Sequence, residues 1–469
     1  MPEPNQPSSP RPSPSVARRS NSMVVGREEM ARAEIGQTTV RPATAAVLAA
    51  FFLVVIVVVP IVELVGTYVR PTQGRVTPWA HLSRVPGDMR SFLAGKDLRG
   101  GSEQGASAER SGAWKRIVSA NRIVLAGLSG FEHALENDSL IGQSLRPRAQ
   151  VVMTGWLGAG NERVYPGLDR WLFYRQDVEY VTGRGFLDSG QIRRRIEEAP
   201  EWTAPPQPDP RVAIAQLRDD LAARGIALVV VPTPVKPAVH PEMLARRYAG
   251  ATGVLQNPSY RDFVDDVRRH GVHVFDPSES LAAARRSGPQ YLATDSHWRP
   301  ESMEAVAELV GEVVASQGRL AATADPGYRV ERVEVRHTGD VARMLDVSAD
   351  ATLFPPEAVW LRRILQPDGS RWRSSRDAEV LVLGDSFSNV YTLESMGWGT
   401  SAGFVEQLSY VLRRPIDRLV QNDRGAFATR EMLQRDPARL DGKRVVVYQF
   451  AVRELMFGDW KVMRLPTAR

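Results

Sequence analysis

Ser386 closes a Gly-Asp-Ser triplet that follows four consecutive aliphatic residues, Val380, Leu381, Val382 and Leu383. Such a run, stopped by a glycine, reads as a buried strand. The side chains after it then stand at the carboxyl end of a sheet, where open α/β folds carry their sites. Gly384 allows a sharp turn that lets the serine stand clear of the backbone. Upstream, the stretch YLATDSHW (291–298) supplies an acid and an imidazole two residues apart, Asp295 and His297. A serine hydroxyl attacks a carbonyl only when a base takes its proton. His297 titrates near working pH, and Asp295 would orient the ring and stabilise the imidazolium. The chemistry predicted is acyl transfer or ester hydrolysis at Ser386.

Each residue has a plainer reading. Ser386 could cap the next helix, and Asp295 or Ser296 could cap the one that begins near Pro300. A metal held by Asp295, His297 and Asp385 is a further alternative. The other histidines are His81, His133, His240, His270, His273 and His337. His270 and His273 straddle Gly271 with no third ligand at a telling spacing, so no metal is expected there. The oxyanion of a tetrahedral intermediate needs aimed donors. The Ser386 backbone N–H is the first. Asn389 and Gly403 are candidates for the second, and Asp385 either assists there or supports the loop. Trp298 either walls the site or packs in the core. Lys236 and Arg453, at ends of predicted strands, either meet a substrate carboxylate or form structural ion pairs. Trp171, Phe173 and Tyr174 read as core.

The serine motif after a strand, preceded by DSHW, resembles the SGNH-like acetyltransferases of bacterial exopolysaccharide modification, the alginate O-acetyltransferase AlgJ/AlgX family. In ordinary GDS-type hydrolases the serine comes early and an Asp-x-x-His late, whereas here the order is reversed and the spacing is Asp-x-His. Further similar segments are GLDRWLFY (167–174), VPTPVK (231–236), TGDVARML (338–345) and QFAVREL (449–455). The likeness covers roughly 151–455. It implies an O-acetyltransferase that acetylates hydroxyls of an extracytoplasmic, alginate-like polysaccharide through an acetyl-serine on Ser386. It also implies a membrane-bound O-acyltransferase partner that passes acetyl groups outward, so that no soluble cofactor is needed. A polysaccharide acetyl esterase and a non-catalytic glycan-binding subunit of an export complex are the alternatives.

The elements that must position these residues follow. Helical spacing over 211–224, a glycine stop and an apolar run over 226–231 predict helix then strand. Helices are predicted at 260–270, 301–317, 405–412 and 429–434, and further strands at 272–275, 416–420 and 444–449. Pro300 suits the first turn of its helix. Alternation of strands and helices predicts an α/β, SGNH-hydrolase-like, mostly parallel sheet flanked by helices over 151–469. Residues 66–150, broken by RGGSEQGA (99–106), read as a stalk or linker with a helix over 114–135.

Residues 1–42, rich in Pro, Ser and Arg, read as a disordered cytoplasmic tail. Residues 43–62 run without a charge, long enough to cross a bilayer as a helix. The segment 43–65 therefore reads as a retained signal-anchor. Arg18, Arg19, Arg27, Arg32 and Arg41 before it place the N terminus in the cytoplasm. The expected location is a bacterial inner membrane, single-pass, with the catalytic domain on the periplasmic side. The 469 residues carry 60 Lys+Arg against 54 Asp+Glu, a net charge of +6 without a basic run, so no nucleic-acid partner is expected. With no cysteine, disulfides and thiol chemistry are excluded.

Overall fold

The computed structural model describes residues 41–69, 78–94, 109–199, 204–347, 353–422 and 425–466. The tail through residue 40 and the glycine-rich break at 99–106 lie outside the described residues. The chain divides into two units, Met1–Ser144 and Leu145–Arg469.

The first unit is helical. Its helix Pro42–Val69 contains a span, Pro42–Val65, long and apolar enough to cross a membrane. Those 24 residues rise about 36 Å, against about 30 Å of hydrocarbon. Two more helices, Pro78–Leu93 and Glu109–Asp138, follow, and the helix Leu140–Leu157 begins within this unit. Trp79 donates to the Pro60 carbonyl at 3.1 Å.

Among its described residues the second unit holds nine strands: β1 (Val164–Pro166), β2 (Leu172–Tyr174), β3 (Ala227–Thr233), β4 (His273–Val274), β5 (Arg329–His337), β6 (Glu357–Leu365), β7 (Val380–Gly384), β8 (Asp417–Val420) and β9 (Val445–Ala451). Five of them form a parallel sheet in the order β4-β3-β9-β7-β8. Side chains alternate between its faces. Val229, Val231, Val380, Val382, Val445 and Val447 enter one core with the helices Pro300–Gln317 and Phe404–Leu412. Leu228, Val230, Leu381, Leu383 and Val446 enter the other, with Pro210–Ala222 and Tyr260–Arg269. Two covered faces explain why these strands read as unbroken apolar runs.

From β3 the chain runs outward to β4 at one edge, and from β7 to β8 at the other, with β9 between them. That reversal opens a crevice beyond the carboxyl ends of β3, β9 and β7, the place where α/β sheets seat their sites. Two antiparallel ribbons, β1–β2 and β5–β6, lie outside the sheet. The apolar runs did not predict them, because β5 is exposed along most of its length and carries no period-2 apolar face.

Candidate active site

Ser386 opens a four-residue helix, Ser386–Asn389, at the end of β7. Gly384 is not in the left-handed region. Its role is space: a Cβ there would come within 2.8 Å of the Ser388 Cβ. Asp385 caps the helix, accepting from the Phe387 N–H at 2.9 Å. Its carboxylate also accepts from the Ala451 N–H at 2.6 Å and the Gln449 amide at 2.9 Å. Gln449, on neighbouring β9, accepts the Ser388 hydroxyl at 2.6 Å and donates to Thr233 of β3 at 3.0 Å. Three strand ends therefore hold the serine turn. Asp385 supports that turn, and a carboxylate already filled by three N–H donors has no hydrogen to offer an oxyanion.

The acid and the imidazole sit on an irregular loop. His297 Nδ1 donates to Asp295 Oδ1 at 2.6 Å, and the His297 N–H reaches the same oxygen at 3.0 Å. Asp295 Oδ2 accepts from Trp398 Nε1 at 2.8 Å and from the Asp340 N–H at 3.0 Å. Burial disfavours the Asp295 charge, but these partners outweigh it and hold the carboxyl well below its usual range. Burial likewise opposes protonation of His297, and the Asp295 charge overrides it, so the ring titrates above an ordinary imidazole. His297 Nε2 is buried and has no hydrogen-bond partner.

Neither Asp295 nor Ser296 caps the following helix, whose N-cap is Arg299 with no side-chain bond. Ser296 instead gives its N–H and hydroxyl to Asp340, each at 2.7 Å. Gly339 makes this strap possible, because a Cβ there would strike the Thr294 carbonyl. Burial and the nearby Asp295 charge push the Asp340 carboxyl up to about 6. Asp295, His297 and Asp340 bring three ligand-type atoms within 4.8 Å of one another, a constellation able to receive a cation. Those atoms already bond one another and Ser296. Asp385 stands apart from them, on the serine turn.

Two of the residues read as substrate-facing are corrected. Lys236 is fully buried, and its Nζ donates to the carbonyls of Leu172, Ala293 and Asp295 at 2.5, 2.8 and 2.9 Å. Three acceptors require the three hydrogens of an ammonium, although burial pulls its pKa down to about 7. The Trp171 and Phe173 rings lie about 5 Å from that charge. Lys236 therefore ties the acid loop to β2 and meets no substrate. Trp298 is fully buried too. Its indole donates to the Phe387 carbonyl at 3.2 Å, and its own carbonyl accepts from Tyr391 at 2.6 Å. It joins the acid loop to the serine turn, and the His297 and Phe387 rings meet beside it at 4.8 Å.

Ser386 and His297 line one open cleft of about 520 Å³. Arg163, Tyr174, Asp340, Arg343, Asn422, Arg453 and Glu454 line it as well. Tyr174, read as core, faces this cleft. Arg453 pairs with Asp177 at 3.0 Å and lies over the Tyr174 and Phe387 rings. Burial works against its charge, but Asp177, Asp385 and Glu454 prevail and raise its pKa. Neither Asn389 nor Gly403 is among the lining residues. Asn389 donates to Asn422 Oδ1 at 2.9 Å, and Gly403 caps the helix Phe404–Leu412. Asn422, just past β8, lines the cleft, and its amide N–H donates to Met396 Sδ at 3.4 Å. Asp340, Trp398, Asn422 and Gln449 had no role in the sequence reading. Asp340 and Gln449 did lie inside two of the family-like segments.

A family model described as "SGNH hydrolase-like domain, acetyltransferase AlgX" matches residues 164–452. The "Probable alginate O-acetylase AlgJ" of Pseudomonas aeruginosa is 25% identical over 306 residues, covering 63% of this chain and 71% of that protein. The protein of the same description from Azotobacter vinelandii is 23% identical over 306 residues, covering 64% and 71%. Among solved structures, the O-acetyltransferase domain of Pseudomonas putida AlgJ aligns with a TM-score of 0.48 at 21% identity, covering 63% of this chain and 93% of that one.

Proposed function

The chain belongs to the AlgX acetyltransferase family with its SGNH hydrolase-like domain, and on that premise we propose that it O-acetylates hydroxyls of an alginate-like polysaccharide through an acetyl-serine on Ser386. The observation that carries this reading is the bonded pair Asp295–His297, with its free Nε2, on the cleft that Ser386 lines. His297 Nε2 takes the Ser386 proton as Oγ adds to the acetyl carbonyl. The oxyanion is met by the Ser386 N–H and the Asn422 amide. As the tetrahedral adduct collapses, His297 returns the proton to the departing donor group. A sugar hydroxyl then gives its proton to His297 and attacks the acetyl carbon, and as the second adduct collapses His297 returns that proton to the departing Ser386 Oγ. Asp295 stays ionised and stabilises the imidazolium in both halves.

In this reading the helix Pro42–Val69 anchors the enzyme in the inner membrane, with the catalytic unit on the periplasmic side. The acetyl donor comes from a membrane-bound O-acyltransferase, and Arg453 faces a substrate carboxylate. The test uses the full chain in detergent with an activated acetyl ester and deacetylated alginate. Acetyl-polymer formed at the expense of free acetate, and lost in Ser386→Ala, is the expected result. Free acetate alone gives an esterase. Turnover unchanged in Ser386→Ala removes the nucleophile assignment, and no turnover in either form leaves a glycan-binding subunit.

A further inference from the structure

We propose that the outward face of the β5–β6 ribbon is a second binding surface, which holds a uronate polymer away from the reacting sugar; this rests on the polysaccharide reading above. Register places Arg332 opposite Arg362, Glu334 opposite Trp360 and Arg336 opposite Ala358. Directly paired residues share a face, so one side of the ribbon carries three arginines, one glutamate and a tryptophan. The other side supplies Val359 and Leu361 to the core. On the side that carries the arginines only Ile364, at the far end of β6, enters the core, whereas Arg332, Glu334 and Trp360 stay exposed.

Trp360 is 46% exposed, a large apolar ring left in water. The Arg332 guanidinium lies over it, 4.5 Å from the ring centroid. Arg336 is exposed and reaches Glu334 at 3.1 Å, and Arg362 reaches Glu304 at 3.3 Å. The exposed Arg336–Glu334 pair contributes little to stability, whereas Glu304, the partner of Arg362, is largely buried. The groups on this face suit a sugar acid: the indole offers a flat apolar platform for the C–H face of a pyranose. The guanidinium forks match a carboxylate bidentately.

The occupant follows from charge and from continuity. With Arg362 paired to Glu304 and Arg336 to Glu334, the ribbon face keeps an excess of one positive charge, on Arg332 beside Trp360, which complements a polymer with one carboxylate per sugar. Strand β5 ends at His337 and runs directly into Gly339 and Asp340, and Asp340 lines the cleft with Ser386. Glu334, the partner of Trp360, is six residues from Asp340, at most about 22 Å along the chain. A polymer seated in the cleft reaches that distance with a few further sugars, whereas a monosaccharide does not.

The experiment measures binding of deacetylated alginate and of neutral dextran to the full chain in detergent. The variants are Trp360→Ala and Arg332→Glu/Arg336→Glu. Each variant should bind alginate about tenfold more weakly, the size of one lost stacking or ionic contact. Release of acetate from a small activated ester should stay at the wild-type rate, which also shows that the variants fold. Undiminished alginate binding in both variants overturns the proposal, as does equal binding of dextran by the wild type. Ser386→Ala is run beside them. It should bind alginate like the wild type, so the nucleophile assignment and the ribbon surface fail separately.

Discussion

The turn that carries Ser386 and the loop that carries Asp295 and His297 face one cleft but are built by different means. The serine turn is the continuation of a buried strand. Its supports, Gln449 and the Ala451 N–H, belong to the adjacent strand of the same sheet. The acid loop has no regular structure to lean on. It is fixed by Lys236 from beyond β3, Asp340 from beyond β5, Trp398 after the serine turn, and Glu357 of β6, which accepts the Ala293 N–H at 2.9 Å. Sheet geometry positions the serine at little cost. Holding an acid and its imidazole at the mouth of the sheet takes buried polar groups, each of which must be satisfied.

The largest expected effect comes from removing the proposed base. His297→Gln should lower kcat by about 10⁴-fold or more while thermal unfolding stays near wild type. Retained turnover would mean that the loop and the turn do not serve one reaction.

Lys236→Met separates the two regions by stability. It strips an ammonium from three carbonyls in a buried site, a loss of about 3 kcal/mol. Amide exchange should speed up over 291–299 and stay slow over 380–388. Equal loosening of both would show that the serine turn depends on the loop. Asp385→Ala is the converse, costing about 2 kcal/mol, with faster exchange over 385–389 and little change over 291–299.

The smallest effect is a shift in pH dependence. His297 works as a base only when neutral, so kcat/KM should rise with pH through its raised pKa, above the ordinary value of about 6.5. Asp340 Oδ2 lies 3.8 Å from His297 Nδ1. Asp340→Asn removes a negative charge that favours the imidazolium, so the acid limb should move to lower pH. The shift reads most clearly above about pH 6, where the wild-type Asp340 is ionised. A limb that stays put would make Asp340 purely a strap for Ser296.

The same contrast governs what could be read in advance. The predicted 226–231, 272–275, 416–420 and 444–449 meet β3, β4, β8 and β9 within two residues at either end, because two-sided burial writes a strand as an apolar run. Pro300 marks the start of its helix as expected. Lys236 and Trp298 were misplaced because a cation or an indole near a motif has the same letter whether it faces substrate or core. Their partners are backbone carbonyls, which have no sequence signal at all. Trp398 and Asn422 were missed because nothing near them in the chain announces the acid loop or the cleft.

The sequence by itself determined the sheet and its covering helices, the apolar segment before them, and the three residue types on which an acyl transfer depends. These follow from local periodicity and from the chemistry of single side chains. Only the tertiary structure decided which side of those residues faces the cleft and what holds the ring of His297. It also decided that four short, separate segments converge on one loop. Those outcomes rest on hydrogen bonds between residues far apart in the chain, and such bonds exist only once the strands have paired.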